Sequence, residues 1–451
     1  MNSSPADEIR VLAPNGVCGS GFLEESFEKG LSQKPHFIGC DAGSTDPGPS
    51  HLGSGEPAFP REAVKRDLRL MLLGARRLKI PLIIGSTGTA GADPHLHWGY
   101  DILKEIAAAE NLKFKVALIH SEQDKAYLQK RLGEGRVKPL DPAPEFNAQV
   151  IERSSHIVGM MGAEPFQRAL QGGADVILAG RASDTAIFAS YAELHGIPSG
   201  IAWHAAKILE CGAAAVVNRK SADCMFAWLR RDHFVVEPPN PEYHCTPQSV
   251  ASHSLYENAD PFKLVECSGT LDLTNSRYEA VSNTAVKVSG SEFIHAPRYT
   301  VKLEGAEKVG YMSLLIGSVR GPVGQAFAAM MGQVQGHTRM FVVRDINQLV
   351  RPATMMTTKA TIHTAEYVEL LGGVVQAATG DAIVDCIIEG ILPKDGLDEL
   401  FEPGAGHLLL QVDRLSVLLS DERQVERRLH GAREFDLRLL RCVAHPLHRL
   451  A

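Results

Sequence analysis

The first half of this sequence carries a series of short polar loops, each directly after a predicted strand. In chain order their side chains and glycines are Asn15; Asp41, Ser44, Thr45 and Asp46; Ser86, Thr87, Gly88, Asp93 and His95; His120; and Arg181, Ser183 and Asp184. Carboxylates and histidines exchange protons, amides of glycine turns stabilise anions, and guanidinium groups pair with carboxylates. The combination predicts acid–base chemistry on a small acyl or carboxylate ligand.

The catalytic groups are predicted from what such a reaction requires. Abstracting a proton next to a carbonyl needs a positioned base and a stabiliser for the anion that forms. We predict catalytic roles for the titratable residues Asp41, Asp93, His95 and His120. We predict substrate-binding roles for Asn15, Ser44, Thr45, Asp46, Ser86, Thr87, Gly88, Arg181, Ser183 and Asp184. In this scheme the Arg181 guanidinium holds the substrate carboxylate.

The same residues also have a structural interpretation. Ser, Thr, Asp and Gly are what turns and helix N-caps require in any fold, so Ser183 and Asp184 are also explained as caps. His95 and His97 are two residues apart and point to different sides, which is a weak signal for a metal. Five such loops in succession at one predicted edge favour a site over unrelated caps.

Motifs of serine hydrolases and of dinucleotide-binding enzymes are missing from the sequence. No Ser-His-Asp order, nucleophile elbow or GxGxxG fingerprint after a strand is present. CDAGSTDPGP resembles the phosphate loop of sugar kinases and actin-like ATPases, but Pro47 and Pro49 cannot continue the central strand that such a loop joins. No metal is predicted and the cofactor is unknown. Metal-assisted hydrolysis is the weakest of three hypotheses, with ligands from Asp41, Asp46, His95 and His97.

The elements that position these loops alternate between strand and helix. Strand-like runs such as HFIGCD, PLIIG and FKVALI are separated by helical stretches, of which Arg61–Leu78 has apolar residues at helical spacing. This alternation predicts an α/β fold with a mostly parallel sheet, flanking helices and a ligand site at the carboxyl ends of the strands. After residue 234, short strands predict a smaller, hairpin-rich α+β subdomain. We predict domains at 1–233 and 234–400 and a C-terminal extension at 401–451.

The composition narrows the class of protein. The net charge is −7 with acidic and basic residues mixed, so we expect no nucleic-acid partner. No window approaches the ~20 apolar residues of a membrane span and no signal-peptide pattern is present, so we expect a cytoplasmic protein without a membrane partner. Eight cysteines without CxxC pairs predict reduced thiols. Enzymes of this size are commonly homo-oligomers, which we expect here.

Several blocks together resemble one known family. FIGCDAGSTDPGPSHLGSG, IIGSTGTAGADPHLHWGYDIL, GADVILAGRASDTAIFA, HCTPQSVASHSLYENADPF and VKLEGAEKVGY are similar to the acyclic terpene utilisation AtuA-like family, over residues 8–400. The resemblance is strongest to the subgroup with the CTPQSVASHSLYEN stretch. It implies an N-terminal α/β domain and a place in acyclic terpenoid breakdown through acyl-CoA intermediates, or in hydroxy-acid and dicarboxylate catabolism. It carries over no catalytic residue and no cofactor.

Two functions from different classes compete. The leading hypothesis is an enzyme of acyclic terpenoid or organic-acid catabolism, a hydro-lyase, hydratase or isomerase. Its substrate is a hydroxylated or unsaturated carboxylic acid or its CoA thioester. The alternative is a non-catalytic subunit that binds an acyl-CoA or organic acid for a partner enzyme. The two hypotheses differ in whether the bound ligand is converted.

Overall fold

The computed structural model describes residues 6–140, 146–255, 260–307, 314–320, 339–343, 383–389, 410–415 and 449–450. The chain forms two compact units, Met1–Val309 with His448–Ala451, and Gly310–Leu447. Most of the predicted extension 401–451 lies outside the described residues. The domain boundaries at 233 and 400 stay predictions.

The secondary structure of the described residues follows the predicted alternation through the first half of the chain. The helices are α1 (Glu24–Ser32), α2 (Ser50–Ser54), α3 (Arg61–Leu78), α4 (Asp93–Ala109), α5 (Lys125–Gly133), α6 (Ala148–Arg153), α7 (Glu164–Gln171), α8 (Asp184–Leu194), α9 (Ser199–Leu209) and α10 (Pro247–Ser254), with a short 3₁₀ helix at Gly212–Ala215. The strands of the first half are β1 (Glu8–Ala13), β2 (Phe37–Asp41), β3 (Leu82–Gly85), β4 (Val116–Ile119), β5 (Ser154–Met160), β6 (Val176–Ala179) and β7 (Val216–Val217).

Short strands dominate the remainder of the described chain. They are β8 (Met225–Arg230), β9 (His233–Glu237), β10 (His244–Cys245), β11 (Lys263–Glu266), β12 (Gly269–Asp272), β13 (Arg277–Ala280), β14 (Val286–Ser289), β15 (Glu292–His295), β16 (Lys302–Glu307), β17 (Leu314–Arg320), β18 (Arg339–Val343), β19 (Ile383–Glu389), β20 (Leu410–Leu415) and β21 (Arg449–Leu450). None of the helices described above is long and apolar enough to cross a membrane. The cytoplasmic location stays a prediction.

A nine-stranded sheet forms the centre of the first unit, in the order β13-β14-β9-β8-β1-β2-β3-β6-β4. The strands from β1 to β4 in this order pair in parallel, whereas β8 joins β1 antiparallel and is followed by further antiparallel strands. Parallel neighbours end at the same edge, so the loops after β2, β3 and β6 are brought side by side. The predicted α/β class with a mostly parallel sheet and a hairpin-rich region after it is confirmed.

Both faces of this sheet are covered by apolar layers. Because side chains alternate along a strand, Leu12 and Ile38 face the layer that contains α3, whereas Val11 and Phe37 face the layer that contains Trp203 of α9. In α3 the residues that point into the core are spaced at the helical period, as the sequence predicted: Val64, Leu68, Met71, Leu72 and Ala75. A sheet buried on both faces leaves its strand edge as the natural place for a polar site.

One predicted unit of the sheet is not present. The sequence from residue 156 to 194 reads as strand, helix, strand and helix around one parallel sheet, but β5 pairs antiparallel with β16 in a separate sheet of order β21-β16-β5. The physical reason is that both edges of β6 are already occupied by β3 and β4. The pairing places Glu304 of β16 opposite Val158.

The remaining sheets are small and antiparallel. Strands β11, β12 and β15 form a three-stranded sheet in the first unit, and β7 pairs with β10. In the second unit the described strands form a four-stranded antiparallel sheet of order β18-β19-β17-β20.

Candidate functional site

The loops after β2, β3 and β6 pack against one another. The backbone N–H of Thr89 donates to the carbonyl of Ala42 at 3.1 Å, and that of Ser86 donates to Gly180 at 3.0 Å. At Gly91 a Cβ would lie 2.1 Å from the backbone nitrogen of Arg181, so this approach of two loops is open only to glycine. The three loops therefore form one continuous surface at the carboxyl edge of the sheet.

Arg181 lies at the centre of this surface and is almost completely buried. Its Nε and Nη2 donate to the carboxylate of Glu304 at 2.8 and 3.4 Å, and its Nη1 donates to Asp184 at 3.1 Å. Nη1 also donates to Ser86 Oγ at 3.2 Å and to the Ala182 carbonyl at 2.8 Å. The guanidinium is therefore held by the protein itself, and its predicted role on a substrate carboxylate stays a prediction.

Two of the predicted aspartates flank this guanidinium. Burial and the neighbouring charge of Asp184 raise the pKa of Asp41 well above its ordinary range, although Arg181 partly opposes the shift. Asp41 Oδ2 accepts from the Gly43 backbone at 3.1 Å, while its buried Oδ1 has no hydrogen-bond partner in the described part of the chain. Burial also raises the pKa of Asp184, against the opposing charge of Arg181. Both aspartates therefore hold protons to higher pH than exposed ones.

Glu266 joins the site from the small sheet that contains β11. It accepts hydrogen bonds from the hydroxyls of Ser183, at 2.7 Å, and Thr185, so the predicted residue Ser183 binds a carboxylate of the protein. Burial raises the pKa of Glu266 to about 7, although these two hydroxyls oppose the shift. A carboxyl with this pKa gives and takes protons near neutral pH.

A buried ion pair on α9 completes the group. Lys207 Nζ lies 2.5 Å from Glu210, and both side chains are nearly inaccessible. Burial raises the pKa of Glu210, with the charge of Asp184 adding to the shift and Lys207 opposing it. We call the following residues the carboxyl cluster: Asp41, Asp184, Glu210, Glu266 and Glu304, with the two cations Arg181 and Lys207.

The charges of the carboxyl cluster do not balance if every group is ionised. Five carboxyls stand against these two cations and the partly exposed Lys302, which pairs with Glu304, and charges of one sign held away from water repel strongly. The pKa of Glu304 is lowered, whereas the pKa values of the other four carboxyls are raised. Arg181 and Lys302 outweigh the effect of burial and lower the pKa of Glu304 to about 2. The remaining carboxyls relieve the repulsion by keeping protons, which makes the cluster a store of transferable protons.

The other predicted binding residues have mixed surroundings. Asn15 is fully buried, donates to Asp67 at 3.1 Å and accepts from the Cys40 thiol at 2.9 Å, which is a structural network below the loop. Ser44 donates to Asp46 at 2.8 Å in an exposed turn. Thr45 is buried in the same loop. Asp46 is also close enough to raise the pKa of Asp184, so this turn borders the carboxyl cluster.

The loop after β3 takes part in the site mostly through its backbone atoms. Ser86 has a left-handed φ of 46° and accepts from the Ala182 backbone at 3.3 Å as well as from Arg181. Gly88 has a φ of 67°, and a Cβ there would lie 2.7 Å from the Cβ of His95. The buried Thr87 hydroxyl has no partner within the described residues. Of these residues only Ser86 touches the carboxyl cluster through its side chain.

His95 is fully buried and neutral. Burial lowers its pKa to about 4, and nearby carbonyls of Glu56 and His51 offset only part of the shift. Neither ring nitrogen makes a well-formed hydrogen bond to the described chain. His97, two residues later, is exposed, so the two rings point to different sides as the structural interpretation predicted.

Asp93 and His120 form a second polar group at the next loop. His120 Nδ1 lies 2.7 Å from Asp93 Oδ1, both side chains are well exposed, and the His97 ring centroid is 5.7 Å from that of His120. The Asp93 backbone donates to Glu122 at 2.8 Å, and Glu122 pairs with His156 at 2.6 Å. The four predicted catalytic residues thus fall into three environments, and only Asp41 belongs to the carboxyl cluster.

Side chains that could bind a metal are not grouped in the described part of the chain. Among the side chains that the structure describes, no three His, Cys, Asp or Glu residues are arranged to hold a metal ion. The ligand set of the third hypothesis is spread between the buried His95, the exposed His97, and two aspartates on the first loop.

Sequence reasoning missed four members of the carboxyl cluster, namely Lys207, Glu210, Glu266 and Glu304. Glu304 reaches Arg181 across 123 positions, and Glu266 reaches Ser183 across 83 positions. None of them follows a strand of the parallel sheet. A local signal existed only for Lys207 and Glu210, whose spacing of three on a helix suits an ion pair.

The fold and site define a class: an α/β protein with a buried acid–base cluster at the carboxyl edge of a mostly parallel sheet. Comparison with known families narrows this further. Residues 57–217 match the family described as acyclic terpene utilisation family protein AtuA, which confirms the predicted resemblance to the AtuA-like family for this part of the chain. This match is shorter than the predicted 8–400, and residues 301–403 match another family, formaldehyde-activating enzyme (Fae).

Curated relatives with Fae in their names are similar to a part of this chain. A bifunctional enzyme Fae/Hps from Methanothrix thermoacetophila is 37% identical over 94 residues, which cover 21% of this chain and 24% of that protein. A bifunctional enzyme Fae/Hps from Methanoregula boonei is 44% identical over 88 residues, covering 19% of this chain and 22% of that protein. The chain thus spans about a quarter of the length of these relatives. No solved structure matches.

The Fae family and these relatives are named as enzymes, and none of the matches singles out a hydratase of terpenoid acids. The Fae region was not predicted. The sequence pattern assigned residues 234–400 as a whole to the subdomain that completes the AtuA-like region.

Proposed function

We propose that this chain is an enzyme with two activities in one polypeptide. The first unit acts by acid–base catalysis on a hydroxylated or unsaturated carboxylic acid or its CoA thioester, as a hydro-lyase, hydratase or isomerase. The region at 301–403 activates formaldehyde, the activity named in the family it matches. The observation that carries the first part is the carboxyl cluster, in which four buried carboxyls and the partly accessible Asp184 lie around two buried cations.

The protonation of the cluster suits this chemistry. Hydration, dehydration and isomerisation next to a carbonyl all move a proton to or from carbon, and all need one group that accepts and one that donates. Glu266, with a pKa of about 7, exists in both states near neutral pH. Asp41 keeps its proton to higher pH than an exposed aspartate because of its burial. Such divergence between neighbouring carboxyls is typical of acid–base pairs.

The contacts of Arg181 favour an acyl thioester over a free carboxylate as the substrate. Within the described residues its contacts use four of its five N–H groups, which leaves one N–H of Nη2. One N–H can donate to a single carbonyl oxygen. A carboxylate pairs best with two N–H groups of a guanidinium whose positive charge is not already neutralised. The cluster has an excess of carboxyls, so an uncharged acyl group enters it at lower electrostatic cost.

The formaldehyde activity concerns one region only. The curated relatives share 88 to 98 residues with this chain, and their names join two activities. Because the shared part is about a quarter of their length, the proposal transfers the Fae activity to residues 301–403 and nothing more.

The test incubates the full chain with a panel of hydroxylated and unsaturated acyl-CoA esters and the corresponding free acids. Mass spectrometry is expected to show gain or loss of one water, or an isomer of unchanged mass, for thioesters in preference to acids. Asp184→Asn is expected to lower the rate at least about a hundredfold. The matched control is Asp101→Asn on the exposed face of α4, where the aspartate pairs only with Lys104.

A binding subunit gives a different result. If the thioesters are retained unaltered by the chain, the non-catalytic alternative is correct and the first part of the proposal is wrong. Formaldehyde consumption is measured separately, with and without added nucleophilic amine, because the second part stands or falls independently.

A further inference from the structure

Asp41 and Asp184 are two carboxyls with different surroundings whose charges both interact with Arg181. Asp184 is the first residue of α8, accepts from Arg181 at 3.1 Å and has 29% of its side chain accessible. Asp41, at the end of β2, is 4% exposed, and its Oδ1 is buried without a hydrogen-bond partner in the described chain. Asp184 is thus partly accessible and paired with a cation. Asp41 is buried, and one of its carboxyl oxygens has no hydrogen-bond partner among the described residues.

The surroundings assign the two carboxyls opposite states. A helix N-terminus and a guanidinium both favour the ionised form, so Asp184 is the member that loses its proton first. The enclosed Asp41 is the member that keeps its proton, since burial and the charge of Asp184 both oppose its ionisation. The pair therefore offers a base bound to Arg181 and an acid beside Gly85, whose neighbour Ser86 accepts from the same guanidinium.

A base, an acid and one N–H donor are the complete requirement of an aldol cleavage. The base removes the proton of a β-hydroxyl group, the bond between the α- and β-carbons breaks, and its electrons form an enolate on the acyl oxygen. The N–H stabilises this oxygen, and the acid then protonates the α-carbon. No electron leaves the substrate, so no oxidant or reductant is required.

We propose that Asp184 and Asp41 act as base and acid in the cleavage of a β-hydroxymethyl acyl thioester, HOCH2–CHR–CO–SR′, to formaldehyde and CH2R–CO–SR′. The proposal rests on the proposed function and specifies its substrate class. It differs from dehydration in the bond that breaks: the hydroxymethyl carbon leaves as formaldehyde, and no water is lost.

The presence of a Fae-matching region in the same chain favours cleavage of this carbon–carbon bond over dehydration or isomerisation. A primary β-alcohol is the one hydroxylated acyl group whose cleavage product is formaldehyde, and residues 301–403 match a family named for activating formaldehyde. The carboxyl cluster then produces the compound that the Fae-matching region consumes, and Glu304 belongs to both. Formaldehyde reacts with exposed amines and thiols of any protein, so production and consumption by one polypeptide limit its free concentration.

The experiment uses the full chain and β-hydroxypropionyl-CoA as the probe, in deuterium oxide. The expected products are formaldehyde and acetyl-CoA that carries one deuterium in its methyl group. Mass spectrometry follows the acetyl-CoA, which the second region does not consume. Asp41→Asn and Asp184→Asn are each expected to lower acetyl-CoA formation at least about a hundredfold, whereas Asp101→Asn leaves it unchanged. Tryptophan fluorescence during urea unfolding shows whether each variant is folded.

The outcomes separate this inference from the proposed function. Loss of water from the probe without acetyl-CoA overturns the aldol cleavage and leaves the proposed function standing. Conversion of no thioester in the panel overturns both. Acetyl-CoA formation that persists in folded Asp41→Asn and Asp184→Asn variants shows that another group performs the cleavage, and the assignment of this pair is then wrong.

Discussion

Removing the carboxylate of Glu304 tests the ion pair on which the carboxyl cluster is built. In Glu304→Gln the side chain keeps its size but loses its charge, and the buried Arg181 loses its bidentate partner. Both side chains are nearly inaccessible, with 5% of Glu304 and 4% of Arg181 exposed. Water is therefore not available to solvate the guanidinium in the variant.

The expected cost follows from two independent routes. Leaving one partner of a buried pair uncompensated costs about 3–5 kcal/mol. Arg181 and Lys302 lower the pKa of Glu304 from 4.5 to about 2 against the effect of burial, and about 1.4 kcal/mol per pKa unit gives roughly 3 kcal/mol. Because Arg181 retains Asp184 and Ser86, we expect a loss of about 3 kcal/mol in the free energy of unfolding.

The dependence on pH has a definite sign. The pKa of Glu304 is lower in the folded chain than in the unfolded chain, so its contribution is complete above about pH 4.5 and is lost as the pH falls toward 2. The difference in stability between wild type and Glu304→Gln is therefore expected to be constant at neutral pH and to shrink below about pH 4.5.

Urea unfolding followed by tryptophan fluorescence is the suitable assay. The three tryptophans, Trp98, Trp203 and Trp228, all lie in the first unit, so the signal reports on that unit alone. The matched control is Glu242→Gln, which breaks an exposed pair with Lys220 and is expected to change little. If Glu304→Gln unfolds at the same urea concentration as this control, the buried pairing of Arg181 is not what holds the loops.

Two further predictions concern the loops around the site. Gly91→Ala is expected to destabilise the first unit by at least about 2 kcal/mol, because a Cβ would lie 2.1 Å from the Arg181 backbone at a left-handed φ of 70°; Gly133→Ala, with open space around it, is the control, and equal unfolding midpoints would contradict the close approach of the loops. His95 has a folded pKa of about 4 against 6.5 when unfolded, so stability falls as the pH drops from 6.5 to 4. His95→Gln is expected to lose less stability over this range than the exposed control His97→Gln, and parallel curves would show that His95 is not buried neutral.

The strand-end loops were predictable because their signal is local. A run of apolar residues followed by glycine and hydroxyl groups marks both the end of a strand and the start of a turn, as at β2 and β3. Parallel strands then place such loops at one edge, so Asp41, Ser86, Arg181 and Asp184 were predicted near each other without knowledge of the strand order. The helix α3 was predicted with the bounds that the structure gives, since its apolar residues recur at the helical period.

The residues that pair with these loops could not be predicted from the local sequence pattern. Glu304 and Glu266 lie on short strands of separate antiparallel sheets, and their pairing depends on tertiary contacts. Arg181 alone suggested a binding group for a substrate carboxylate, and only the structure shows that a carboxylate of the protein already occupies it. The burial of His95 was likewise not predictable, because a histidine in a polar loop has the same local pattern whether its ring is exposed or enclosed.

The imbalance of charge bears on whether the carboxyl cluster is functional or structural. A structural ion network gains most when each buried charge has its counter-charge, because an uncompensated buried group costs stability. Here Arg181 pairs with both Glu304 and Asp184, Lys302 also pairs with Glu304, and Lys207 pairs with Glu210, so five carboxyls meet three cations. Groups that raise the energy of the folded chain without stabilising it are characteristic of active sites. The carboxyls in excess of the cations are therefore where we expect the chemistry to take place.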